Sequence, residues 1–140
     1  RPACLTDAVL AAIRAHAEAA WPDECCGLVF DDGVRPCTNV QDARHAADPR
    51  AFPRTGRTAF RLADAEQLLL ARSSCGPRPA RVLYHSHPQG GTALSDEDLR
   101  GAGIEGRPVY PDLLHLVGAL DRGRVVGAAV HVLEDGPGRA

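Results

Sequence analysis

The sequence predicts an α/β sandwich in which a mixed β-sheet is flanked by helices. Three observations carry that expectation: stretches with helical apolar periodicity, short apolar runs of strand length between them, and turn signals that join most of those runs as hairpins. Residues 5–20 read as the first helix. Leu5, Val9, Ile13 and Ala17 fall at i, i+4 spacing, Thr6 or Asp7 can cap the start, and Trp21-Pro22 ends it. Residues 26–30 form a short apolar strand, Asp31-Asp32-Gly33 a turn, and residues 34–40 a returning strand. Residues 41–60 carry Pro49, Pro53 and Gly56 among many polar side chains, which predicts a loop with room for one short strand near Thr58, Ala59 and Phe60.

A second helix is expected over residues 62–73, with Ala63, Leu68, Leu69 and Leu70 on its apolar side and Gly76-Pro77-Arg78-Pro79 breaking it. Residues 81–85 are a strand, 88–94 a Gly-containing loop, and Ser95 opens a short helix reaching about residue 102. Two further strands, 113–120 and 125–133, are joined by the Asp121-Arg122-Gly123 turn. The tail from Asp135 is rich in Gly and Pro, so one domain is expected over residues 1–134 and a flexible tail over 135–140.

A chain of 140 residues is long enough for one domain with a core of its own. Its 44% hydrophobic share is that of a globular protein. The net charge of -2, scattered in both signs, argues against a nucleic-acid or membrane partner, both of which favour basic surfaces. Every basic side chain is Arg, so no Lys is offered for isopeptide modification. No apolar run approaches the roughly 18 residues of a membrane span. No signal peptide is visible, although the absence of Met implies a missing or processed N-terminus and leaves a lost leader open. Cysteines at 4, 25, 26, 37 and 75 form no disulfide framework, and a cytoplasmic location is expected.

The informative stretch is His85-Ser86-His87-Pro88, followed by Ser95 and Asp98. Residues i and i+2 of a strand share a face, so His85 and His87 can aim two imidazoles at one point. Asp98, in the first turn of the helix opened by Ser95, is a plausible third ligand after a loop long enough to swing back. Two histidines and a carboxylate, without thiolate, make an open hydrolytic zinc set rather than a closed structural one. Each piece alone has a plainer explanation: His-x-His is weak, Ser95-x-x-Asp98 suits a helix capping box, and Pro88 suits a strand end. Their joint order is more specific, and Glu24 lies upstream in Pro22-Asp23-Glu24-Cys25-Cys26-Gly27-Leu28, just ahead of a strand. A carboxylate placed there can take a proton from a water at the metal and return it to a leaving amine.

Together these residues resemble the JAMM motif: an upstream Glu, then His-Ser/Thr-His-Pro, then Ser-x-x-Asp, with residues 88–94 filling the interval. The chain is similar to short bacterial members of the JAMM/MPN+ family of zinc metallopeptidases (the JAB domain), and no motif position departs from the pattern. The resemblance extends to the Asn39 strand end and to the strand at 113–120. It implies a mixed, curved sheet flanked by helices, the MPN/JAB form of a cytidine-deaminase-like sandwich. It also implies one Zn²⁺ per chain on His85, His87 and Asp98, Glu24 as general base and acid, and Ser95 as a hydrogen-bond donor to the oxyanion. The implied reaction is hydrolysis of a peptide or isopeptide bond at the Gly-Gly C-terminus of a small ubiquitin-like or sulfur-carrier protein. Phage-tail and defence-associated peptidases of the same fold are the nearby alternatives.

Two readings of other classes compete. Members of the wider superfamily act as catalytically silent scaffolds in assemblies, but these typically lack the ligands that are filled here. A thiol hydrolase using Cys25 or Cys26 with a histidine would survive chelation, yet a cysteine beside or within a strand is more often a small buried hydrophobe. His16, His45 and His131 have no partner spacing, and His115 alternates with Leu114 and Leu116 in a strand, which suits a structural role. The run Arg44, Arg50, Arg54, Arg57 and Arg61 reads as a solvated face, with an acidic protein partner as the alternative.

Overall fold

The computed structural model describes residues 1–104 and 107–134, so the tail expected over 135–140 lies outside the described residues. The elements in chain order are α1 (Asp7–Ala20), β1 (Cys26–Phe30), β2 (Gly33–Cys37), α2 (Gln41–Ala47), α3 (Asp64–Ser74), β3 (Val82–His87), α4 (Asp96–Ala102), β4 (Gly103–Ile104), β5 (Arg107–Pro108), β6 (Leu114–Asp121) and β7 (Arg124–Val132). Five strands form one mixed sheet in the order β2-β1-β3-β6-β7, and β4 and β5 pair apart from it. Only β3 and β6 run parallel; β1 is antiparallel to β2 and β3, and β6 to β7. This is the mixed α/β arrangement that the pattern of helices and hairpins predicts. No helix among the described residues is long and apolar enough to cross a membrane.

The sheet separates two cores. On one face α1 buries Val9, Ile13 and Ala17 against Val29, Val82, Tyr84, Leu116 and Leu120. Thr6 caps this helix, its hydroxyl accepting from the Val9 N–H at 3.2 Å, a contact worth about 1 kcal/mol. On the other face Leu70 of α3 packs with Leu28, Leu62, Leu83 and Leu113. Leu68, expected on the apolar side of that helix, instead faces solvent. The β6–β7 hairpin closes on Arg122 and Gly123, both at positive φ, as a two-residue type I′ turn requires.

Residues 41–60 depart from the expected loop. Residues 41–47 are helical, and no strand forms at 58–60; the only pairing there is an isolated bridge between Asn39 and Leu62. The helix is invisible to an apolar-stripe reading because Gln41 is its one buried residue. It is held by side-chain bonds: the Gln41 N–H donates to Asn39 Oδ1 at 3.0 Å, and Gln41 Nε2 donates to the Arg54 carbonyl at 3.0 Å. The expected returning strand is shorter than 34–40, ending at Cys37, and β3 continues past 85 through His87.

One residue in β1 has no substitute. A Cβ on Gly27 would lie 2.2 Å from the Tyr84 ring, and Tyr84 is fully buried with its hydroxyl 2.7 Å from His16 Nδ1. Gly27→Ala should therefore destabilise the fold by about 2 kcal/mol or more, since the ring has no free space to retreat into. A urea midpoint equal to that of the parent would show that the ring can move.

Candidate metal centre

Topology places the site. β3 and β6 run parallel, and ligands in such sheets bind beyond the carboxyl ends of the strands. β1 runs against β3 with Cys26 opposite His85, so the residue just before β1 arrives beside the end of β3. That residue is Cys25, and Glu24 precedes it.

Along β3 the side chains alternate. Val82 and Tyr84 enter the α1 core, and Leu83 enters the opposite one. His85 and His87 share the Leu83 side, while Ser86 turns back to accept the Cys25 N–H at 2.8 Å. The His-Ser-His triplet thus supplies two ligands and, between them, a tether for the segment that carries Glu24. Phe60 stacks on the His85 ring with centroids 4.6 Å apart.

Asp98 comes in on α4. Ser95 is its N-cap: the Ser95 hydroxyl accepts the Asp98 N–H at 3.0 Å, and the Ser95 N–H donates to Asp98 Oδ2 at 2.9 Å. This reciprocal capping box fixes the carboxylate by bonds that the helix needs anyway. Of the residues singled out by sequence, Glu24, His85, His87 and Asp98 come together, each offering one atom within 4.8 Å of the others. Ser95 touches the group through Asp98.

The three ligand atoms form a tight triangle. His85 Nε2 to His87 Nε2 is 3.2 Å, and Asp98 Oδ2 lies 3.0 Å from the first and 3.1 Å from the second. Donors at about 2.05 Å from a tetrahedral ion would be about 3.3 Å apart, so the triangle has nearly the size such an ion needs. The tautomers point the same way. His87 Nδ1 lies 3.2 Å from the Gly91 carbonyl, which can only accept, so that nitrogen carries the proton. Neutral His87 then turns an Nε2 lone pair toward an Asp98 oxygen that is also an acceptor. A proton resolves this by making His87 an imidazolium or Asp98 a neutral acid; a divalent cation resolves it with both histidines neutral and Asp98 ionised. The residues present fit a metal ion.

Electrostatics agree with a cation-binding pocket. Glu24 is only 4% exposed and its Oε1 has no hydrogen-bond partner. Burial first, then the charge of Asp98, pushes its carboxyl up to about 9, with Arg54 opposing. Burial would raise Asp98 as well, but the imidazoles of His85 and His87 and the Ser95 backbone N–H beside it hold its carboxyl far below the usual range. Burial also lowers His85, against the pull of Asp98. A cation here would favour the ionised form of Glu24.

Glu24 is clamped by its backbone. Its N–H donates to the Gly56 carbonyl at 2.7 Å, and its carbonyl accepts from Asn39 Nδ2 at 2.9 Å. Asn39 also donates to the Ala59 carbonyl and accepts the Gln41 and Arg61 N–H groups. Sequence reasoning missed the roles of Asn39 and Ser86, because their partners are distant in the chain. An Asn at a strand end, where backbone groups need side-chain partners, was the available signal for the first.

The remaining candidates fall outside the group. Cys25 and Cys26 are buried, at 2% and 0% exposure, and burial pushes the Cys25 thiol up to about 11 and Cys26 higher still, so neither is a ready nucleophile. His16, His45 and His131 bond to Tyr84, Phe52 and Thr92. His115 is buried, its pKa pushed down to about 4 by burial and then by the charge of His85.

Over residues 6–124 the chain matches the family described as prokaryotic homologs of the JAB domain. It belongs to that family. Among solved structures it resembles the solution structure of a protein from Desulfitobacterium hafniense, with a TM-score of 0.59 at 23% identity, covering 91% of this chain and 88% of that one. A second solution structure, of a protein from Salinibacter ruber, gives a TM-score of 0.51 at 22% identity over 89% of this chain and 78% of that one. No curated protein matches. The two structural likenesses speak for the fold, and the cluster of Glu24, His85, His87 and Asp98 is the JAB domain's candidate metal site.

Prepared in metal-replete medium, the domain should carry about one divalent transition-metal ion per chain by elemental analysis, and lose it in His85→Ala and in His87→Ala. A parent protein free of such metal would sink the site.

Proposed function

We propose that this JAB domain is a zinc metallopeptidase acting on a peptide or isopeptide bond at the Gly-Gly C-terminus of a small ubiquitin-like or sulfur-carrier protein. The observation that carries the reading is the buried Glu24 carboxyl with an unpartnered oxygen, beside two imidazoles and a carboxylate that need a cation between them. Two nitrogens and one oxygen, with no thiolate, suit zinc in its hydrolytic form. A zinc ion held by His85, His87 and Asp98 supplies Lewis acidity, polarising a carbonyl oxygen and acidifying water.

The chain's own residues do the rest. Glu24 takes the proton of the attacking water, whose oxygen bonds to the carbonyl carbon. It then passes that proton to the amide nitrogen as the carbon–nitrogen bond breaks. Its backbone clamp keeps the carboxyl in place while leaving both oxygens free to work. The Ser95 hydroxyl accepts from Asp98 N–H, so its own proton remains to donate to the developing oxyanion. The Gly91 carbonyl holds the His87 tautomer that leaves Nε2 free for the metal, and Phe60 shields the His85 ring. A silent scaffold would leave the burial of Glu24 without a purpose, since an unpartnered buried carboxyl costs stability.

Glu24→Gln should keep fold and zinc but lower turnover at least about 100-fold, because the amide cannot accept a proton. Turnover near the parent rate would remove Glu24 from the mechanism.

Ser95 separates cap from catalyst. Ser95→Asn should keep stability and zinc content near normal, because Asn caps as well as Ser, yet its longer amide displaces the donor and turnover should fall about 10²–10³-fold. Ser95→Ala should lower turnover and also cost about 1 kcal/mol of stability. Full activity in Ser95→Asn would leave Ser95 only its structural role.

A further inference from the structure

His85 and Asp98 also form part of the wall of a cleft of about 290 Å³ that lies on the α3 side of the sheet. That is the volume of roughly ten waters, room for a very short piece of chain and nothing folded. Phe60, Leu62, Leu70, Leu83 and Leu113 give it an apolar lining. Arg44 and Arg61 line the same cleft. Both residues are half-buried, and among the described residues neither forms an ion pair.

Among the described residues, the carboxylates that line the cleft have other partners, Asp98 among the metal ligands and Glu97 on two other arginines. Glu97 is shared between Arg54 at 3.6 Å and Arg100 at 2.8 Å. Arg44 lies over the Phe52 ring, 3.8 Å from its centroid, which holds the guanidinium in place without neutralising it. Burial and the nearby charge of Arg61 weaken Arg44's hold on its proton, and the charge of Glu97 offsets this only in part. One side chain positions both arginines against the metal centre: Asn39 Oδ1 accepts from the Arg61 N–H and from the Gln41 N–H that opens α2, while Asn39 Nδ2 grips the Glu24 carbonyl.

We propose that Arg44 and Arg61 bind the free α-carboxylate of the short segment on the leaving side of the scissile bond. The inference rests on the peptidase reading above and sharpens it. A planar carboxylate matches the arginine fork, and a free C-terminus carries one whatever its last residue. The domain would then trim a residue or two from a C-terminus by peptide hydrolysis. An isopeptide substrate would place a folded protein on this side with no carboxylate to offer.

The test uses three acetylated peptides: Gly-Gly-Ala with a free terminus, its C-terminal amide, and Gly-Gly-Asp amide, which moves the carboxylate to a side chain. Binding to zinc-loaded Glu24→Gln protein is measured by NMR titration, and cleavage with the zinc-loaded parent. The free acid should bind at least about tenfold more tightly than its amide, and Arg44→Gln or Arg61→Gln should abolish that preference while leaving amide binding unchanged. Equal binding of acid and amide would overturn the proposal. So would a preference that survives both substitutions, or an Asp amide that binds as well as the free acid, which would mean that an internal acidic residue is read. The acid–amide comparison needs no arginine variant, so a misfolded variant does not decide the result. If the parent cleaves nothing but the arginine-dependent preference holds, the peptidase reading falls and the carboxylate site stands.

Discussion

Two hydrogen-bond acceptors 3.1 Å apart in a largely buried pocket call for a proton or a metal ion between them, and the JAB domain builds that situation at Asp98 and His87. The surrounding bonds hold the arrangement in place. The Gly91 carbonyl fixes the His87 tautomer, and the Ser95 N–H holds Asp98 Oδ2. Neither bond involves an atom that could rearrange to relieve the mismatch. Folding therefore leaves a site with negative potential, and a metal ion that relieves it stabilises the folded state in proportion to its affinity.

How much of this was legible in the sequence follows from the range of each interaction. Strand alternation made the shared face of His85 and His87 readable, and the spacing from Ser95 to Asp98 announced the capping box, because both are local rules. The hairpin at Asp121 to Arg124 was readable for the same reason. What escaped is long-range. Helix α2 has no apolar stripe, and it exists because Asn39 and Arg54 supply partners for Gln41. β4 and β5 are two residues each, below the length at which alternation carries a signal. Ser86 looked like a spacer between ligands, and its bond to Cys25 spans the gap between two strands that only the sheet register closes.

The run of arginines shows the same limit from the other side. As a sequence it reads as one cationic face. In the fold it divides: Arg54 pairs with Glu97, Arg50 and Arg57 face solvent, and Arg44 and Arg61 are half-buried at the cleft. The division arises because α2 and the Asn39–Leu62 bridge bring residues 44 and 61 to one cleft. Charge counted along the chain could not distinguish a solvated surface from a half-buried pair of arginines.

The clamp on Glu24 joins these threads. A general base must be held firmly and yet keep its carboxyl oxygens available, and hydrogen bonds to the side chain would satisfy the first need by defeating the second. Here the restraint falls on the backbone, through Gly56 and Asn39, with Ser86 holding the next residue. Gly56 is fixed in turn by Asp42, at the start of α2, whose carboxylate accepts its N–H at 2.7 Å. The polar segment that looked least structured thus supplies part of the restraint on the base, through Gly56. Its hydrogen bonds run to backbone atoms, so they act on the position of Glu24 and leave its charge to be set by burial and by whatever cation the three ligands hold.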